Sequence, residues 1–142
     1  MEKNPSSGHD LESFVLVVSI FGAVVGTGAG GAVAAETQST RLAAIVSAFL
    51  AVALITCFRL LLGKWVPALL LPRPGTKMPN FLWLSIFLST LIGGLAGHDL
   101  CQLFDVTAGP VIGFASGTLA AVSMASLMVL YFTEHPERKL DF

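Results

Sequence analysis

The chain has 142 residues, of which 54% are hydrophobic and only 12% are charged, and its net charge is −1. Ordinary soluble domains carry about 25% charged residues, so this composition indicates a protein embedded in a lipid bilayer. The net charge argues against nucleic acid as a partner, because duplex binding needs a basic surface. The length suits one compact membrane domain over residues 1–142, without room for a second.

Four long apolar stretches follow one another along the chain, at residues 14–35, 42–63, 81–97 and 109–132. A helix needs about 20 apolar residues to cross a hydrocarbon core about 30 Å thick, and each stretch has that length or nearly so. Continuous apolar runs also lack the alternation that is typical of transmembrane β-strands. The sequence therefore predicts an all-α, multi-pass integral membrane protein, a bundle of four transmembrane helices joined by short loops.

The first stretch has an alternative interpretation as a cleaved signal peptide. Residues 32–34, Ala-Val-Ala, resemble a small-residue cleavage site. The residues before the apolar run hold three acidic side chains and one lysine, whereas a signal peptide begins with positive charge. The run of about 22 residues is also longer than the 7–15 of a signal core. We therefore expect the first stretch to be retained as a membrane span.

Basic residues fall mostly on one side of the predicted topology. Only Arg41 lies on the side of the two short loops. The side of the termini and of the loop between the second and third spans holds the other seven: Lys3, Arg59, Lys64, Arg73, Lys77, Arg138 and Lys139. By the positive-inside rule, both termini are expected to be cytoplasmic, or on the equivalent face of an organelle.

The loop between the second and third spans combines apolar, proline and basic residues. Its basic residues, together with one at the end of the second span, are Arg59, Lys64, Arg73 and Lys77. Such residues can snorkel to the headgroups or bind anionic lipid, so one interpretation is a basic strip at the membrane surface. The favoured interpretation is a solvated turn that only fixes the topology.

Glycines repeat at intervals of four in the first and fourth spans. The two sets are Gly22, Gly26 and Gly30 in the first span, and Gly109, Gly113 and Gly117 in the fourth. This spacing places each set on one helix face, and a face of glycines lets another backbone approach closely. The sequence predicts glycine-zipper packing, either between the chain's own helices or against another membrane protein.

Small and large side chains also separate by depth in the predicted spans. The glycines and a set of small residues in the second span lie in the outer half, whereas leucines and aromatic residues gather in the cytoplasmic half. Because the distance between helix axes depends on the side chains at the contact, we expect the bundle to be narrow outside and wider inside.

One cluster of titratable residues lies away from the basic side, in the predicted outer loop at residues 98–108. Its members are His98, Asp99 and Asp105, with Cys101 nearby. Such a cluster could bind a cation or relay protons. Charged groups at a helix end are more often simply solvated, however, so we expect these three side chains to be exposed.

No pattern in the sequence indicates an enzyme. Residues 26–31 fit the dinucleotide fingerprint G-x-G-x-x-G, but they lie inside an apolar span and lack the acidic residue that follows such a motif. No pairing of nucleophile with base, set of metal ligands or carboxylate dyad stands out. We expect no catalytic residue, no cofactor and no metal site.

A faint internal repeat leaves the origin of the fold open. Ser19-Ile20-Phe21 recurs as Ser85-Ile86-Phe87 in the third span. The similarity fits either a duplicated helical hairpin or chance in a sequence of low complexity.

Two hypotheses for function remain. In the first, the chain is a non-enzymatic structural or accessory subunit that packs through its glycine faces, within itself or in a membrane protein complex. In the second, it is a small oligomeric channel or carrier for an uncharged or small solute, built from copies of the chain. Ion-coupled transport usually needs charged groups deep in the membrane, and none is present here, which favours the first hypothesis.

Overall fold

The structure, a computed structural model, describes residues 6–62, 80–106 and 108–134. These residues form four α-helices: α1 (Ser6–Thr37), α2 (Thr40–Leu62), α3 (Asn80–Leu103) and α4 (Gly109–Glu134). All four are long and apolar enough to cross a membrane. The predicted all-α class with four helices of membrane-spanning length is therefore confirmed.

The turn between α1 and α2 is set by short polar side chains. Gln38 adopts a left-handed conformation with φ of 53°, which reverses the chain within two residues. The Ser39 hydroxyl then accepts a hydrogen bond from the Leu42 amide at 3.4 Å, as an N-cap residue does at the start of a helix. The two helices are consequently antiparallel neighbours.

Helix α3 continues beyond its predicted end at residue 97 and stops at Leu103. The prediction that residues 98–108 form a loop is therefore wrong for residues 98–103. The helix ends in a Schellman motif: the Val106 amide donates to the Cys101 carbonyl at 2.8 Å, and the Asp105 amide donates to the Gln102 carbonyl at 3.1 Å. Asp105 takes the left-handed position with φ of 54° that glycine usually occupies.

The four helices form a rhombus in cross-section. Helix α4 packs against all three others, most extensively against α1, and α2 also contacts all three. Within the described residues, α1 and α3 do not touch each other. Helices α2 and α4 therefore meet across the short diagonal and fill the middle of the bundle.

The core consists of two layers stacked along the helices. The end of the bundle that carries the α1–α2 turn and the α3–α4 loop is here called the loop end. Its buried residues are mostly small, with Ile112 as a larger one: Ala43, Ala44, Ser47, Ala48 and Ser116 are among the small ones. Toward the opposite end they are mostly large, apart from Ala121 and Ala125: Val18, Ile55, Leu82, Ile86, Met124, Met128 and Tyr131. The separation of small and large residues read from the sequence is therefore present in the core.

The outer surface of the bundle is apolar on every helix. Large exposed side chains include Leu16 and Val24 on α1, Leu50 on α2, Ile92 on α3 and Leu130 on α4. A helix that is hydrophobic all round belongs inside a core or a membrane. Since these side chains face outward, the surface suits lipid rather than water.

Candidate functional site

The glycines of α1 and α4 meet face to face in antiparallel order. The facing pairs are Gly22 with Gly117, Gly26 with Gly113, and Gly30 with Gly109. A methyl group added at Gly30 would lie 2.5 Å from the Gly109 carbonyl oxygen, and one at Gly22 would lie 2.7 Å from the Gly117 carbonyl oxygen. Real Cβ atoms essentially never approach within 3.0 Å, so these positions hold no space for any side chain.

The contacts within each pair are reciprocal. The direction in which a Cβ would leave Gly26 points at the Gly113 carbonyl oxygen, and the same direction at Gly113 points back at the Gly26 carbonyl oxygen. In the native chain these directions are taken by Cα hydrogens. Cα–H to carbonyl contacts recur where helices cross closely, and each contributes about 0.5–1 kcal/mol. Backbone therefore packs directly on backbone along the α1–α4 interface.

Helix α3 adds a second contact of the same type, at glycines outside the two sets predicted from the sequence. A methyl group at Gly97 would lie 2.6 Å from the Ser116 Cα atom on α4, and one at Gly93 would lie 2.9 Å from the Ala120 nitrogen. The spacing of four between these two glycines is the signal that could have indicated this face. Glycines of both α1 and α3 therefore pack closely against the backbone of α4.

One glycine of α1 has no such role. Gly28 is exposed, and a methyl group added there would meet nothing within 4 Å. It lies only two residues from Gly26 but on another face of the helix. This position therefore offers a matched control for the crowded glycines.

The hydroxyl groups within the helices bond to their own backbone. Thr90 donates to the Ile86 carbonyl at 2.7 Å, and Ser116 donates to the Gly113 carbonyl at 3.2 Å. Ser47 makes the same kind of bond to Ala43. These three hydroxyls are buried, so the local bonds satisfy them without a neighbouring helix or a polar channel.

The predicted polar cluster of His98, Asp99 and Asp105 is divided between buried and exposed positions. Asp99 and Asp105 are exposed, as expected. His98 is only 5% exposed, so the expectation that its side chain is exposed is wrong. The side chain is buried because α3 extends through this position to Leu103. Its Nδ1 atom is buried and finds no hydrogen-bond partner in the described part of the chain. Within those residues no group of three or more potential ligands could hold a metal ion.

The predicted basic strip falls largely outside the described residues. Lys64, Arg73 and Lys77 lie between α2 and α3 in the part of the chain that is not described. Arg59 belongs to α2, but its side chain is likewise outside the description. Binding of this strip to the membrane surface remains a prediction.

No protein-family model, curated protein or solved structure matches this chain. Its class therefore follows from its own helices. Four apolar helices of membrane-spanning length, with an apolar outer surface, are consistent with a small integral membrane protein.

Proposed function

We propose that the chain is a non-enzymatic structural or accessory subunit of a membrane, held together by a glycine zipper between α1 and α4. Both termini lie on the cytoplasmic side in this proposal, on the basis of the positive-inside rule. The observation that carries the proposal is the close contact, inside the chain, between three glycines of α1 and three of α4. A bundle closed in this way presents a fixed apolar surface to lipid or to a larger assembly.

The filled centre of the bundle favours this role over a channel within one copy. Helices α2 and α4 meet across the short diagonal, and Ile112 and Met124 between the helices are at most 2% exposed. The hydroxyls of Ser47, Thr90 and Ser116 donate hydrogen bonds to backbone carbonyls of their own helices. A path for a polar solute through a single copy would need both this packing and these bonds to break.

Native mass spectrometry of the chain purified in mild detergent tests the proposal. We expect a foreign membrane protein at fixed stoichiometry, retained when detergent and salt are varied. A defined homo-oligomer without any foreign subunit would contradict the proposal and favour the alternative, an oligomeric channel or carrier.

Reconstitution into liposomes separates the two functions independently. We expect swelling rates in urea or glycerol gradients equal to those of protein-free liposomes, because the centre of the bundle is packed. The bundle must be shown to be folded in the same liposomes by its far-ultraviolet circular dichroism. Faster swelling that depends on protein density would overturn the structural role.

The proposed topology can be tested with single cysteines at the loop end. Cys101 is buried, so the exposed neighbour Gln102 is the better position for a membrane-impermeant thiol reagent. In a chain with Cys57→Ser and Cys101→Ser, Gln102→Cys and Gln38→Cys should both be labelled from outside. A tag on either terminus should be reached only from the cytoplasm. Labelling of Gln102→Cys and Gln38→Cys from opposite sides would refute the four-span topology.

A further inference from the structure

His98 and Cys101 share one buried face at the loop end of α3. Both side chains are 5% exposed. The Nδ1 atom of His98 has no hydrogen-bond partner in the described residues, and Cys101 is a free thiol. Unsatisfied polar atoms in a buried place are rare in proteins and call for a ligand or another explanation.

The helical conformation gives meaning to the spacing of these residues. In a loop, an interval of three would not define where two side chains lie. Because α3 extends to Leu103, His98 and Cys101 lie on neighbouring turns of one helix face, with Cβ atoms about 5–6 Å apart. Pairs of ligands three residues apart on a helix are used in metal sites of other helical bundles.

We propose that His98 and Cys101 bind a soft monovalent metal cation of the Cu⁺ or Ag⁺ type. Imidazole nitrogen and thiolate sulfur are ligands that such ions prefer, and the thiol releases its proton when it binds the ion. The described residues hold no group of three or more potential ligands, which disfavours the four ligands of a structural zinc site. Two donors suit ions that accept linear coordination.

The apolar surroundings of Cys101 add to this selectivity. Cys101 packs in a cluster with Ala44 of α2 and Ile112 of α4. Hard cations such as Mg²⁺ and Ca²⁺ require several oxygen ligands, which this cluster does not supply. The proposal is independent of the structural or accessory role, because a cation can bind whether or not the chain has a partner.

Titration with Ag⁺ tests the site in the detergent-purified full chain. The background should carry Cys57→Ser, because Cys57 is exposed and would bind the ion by itself. With only Cys101 remaining as a thiol, we expect one Ag⁺ bound per chain. Cys101→Ser should abolish this binding, and His98→Ala should weaken it by at least about tenfold.

Two further variants test whether the imidazole of His98 is needed for Ag⁺ binding. Asp99→Asn alters the exposed neighbour and should leave the affinity for Ag⁺ unchanged. His98→Gln retains a polar side chain of similar size but lacks the imidazole. It should therefore also lose affinity for Ag⁺, while the far-ultraviolet spectrum stays helical. Absence of Ag⁺ binding in the Cys57→Ser chain would overturn the proposal. Equal affinity with and without His98 would also overturn it, since the thiol alone would then be the site.

Discussion

Gly26→Ala should destabilise the bundle markedly, whereas Gly28→Ala on the same helix should leave it unchanged or slightly more stable. The methyl group at Gly26 would meet the Gly113 carbonyl oxygen and, at 2.9 Å, the Gly117 Cα atom. These are backbone atoms that cannot rotate away, so α1 and α4 must separate. Overpacking of this kind typically costs about 1–3 kcal/mol, and Gly26→Leu should exceed that range.

We expect no loss of stability for the control variant, Gly28→Ala. At Gly28 the added methyl meets nothing within 4 Å, and alanine favours the helix over glycine by up to about 1 kcal/mol. The measurement is the unfolding free energy in mixed micelles of mild detergent and sodium dodecyl sulfate. Equal effects at Gly26 and Gly28 would mean that the glycine face does not hold the bundle together.

Ile112→Ala should be the most damaging truncation at the loop end, and Leu130→Ala on the same helix should be nearly neutral. Ile112 is fully buried in the cluster of Ala44 and Cys101, where its neighbours are small and cannot fill the space that it leaves. Leu130 is 57% exposed on the outer surface. Lipid can replace protein around Leu130 but not around Ile112.

The size of this effect depends on what surrounds the protein. In soluble proteins, leucine or isoleucine to alanine in a core costs about 2–5 kcal/mol, part of which is transfer from water. Between membrane helices that part is small, since lipid is as apolar as the core. The remaining cavity and contact losses should destabilise Ile112→Ala by about 1–3 kcal/mol in the same micelle assay. A loss at Leu130→Ala as large as that at Ile112→Ala would contradict this assignment of inner and outer faces.

The helices themselves were largely predictable, because apolar length is a strong signal in a chain with so few charges. The helix ends were less so. Hydropathy marks the part of a helix that suits lipid, and α3 continues past that part through His98 to Leu103. Nothing in this segment breaks a helix, and it ends only where Asp105 takes a left-handed conformation.

The glycine spacing predicted a close contact but not its partner. A face of small residues can meet any other such face, and α1, α3 and α4 each present one. The choice of α4 as partner of α1 depends on how both hairpins close into a bundle, which a local pattern does not contain. The burial of His98 was missed for a related reason. Gly94, His98 and Cys101 form a helical stripe, but it is visible only once the segment is read as helix.

Cysteine cross-linking across α1 and α4 tests the central claim, the antiparallel pairing of these helices, most directly. Thr27 and Phe114 line one groove between the two helices, and Val15 and Val129 line another toward the opposite end. In a chain with Cys57→Ser and Cys101→Ser, a short bifunctional thiol reagent should link Thr27→Cys to Phe114→Cys and Val15→Cys to Val129→Cys. The exchanged pairs, Thr27→Cys with Val129→Cys and Val15→Cys with Phe114→Cys, lie about 20 Å apart by helix rise and should not react. Efficient linking of the exchanged pairs, with none in the first two, would contradict the pairing and the proposed glycine zipper that depends on it.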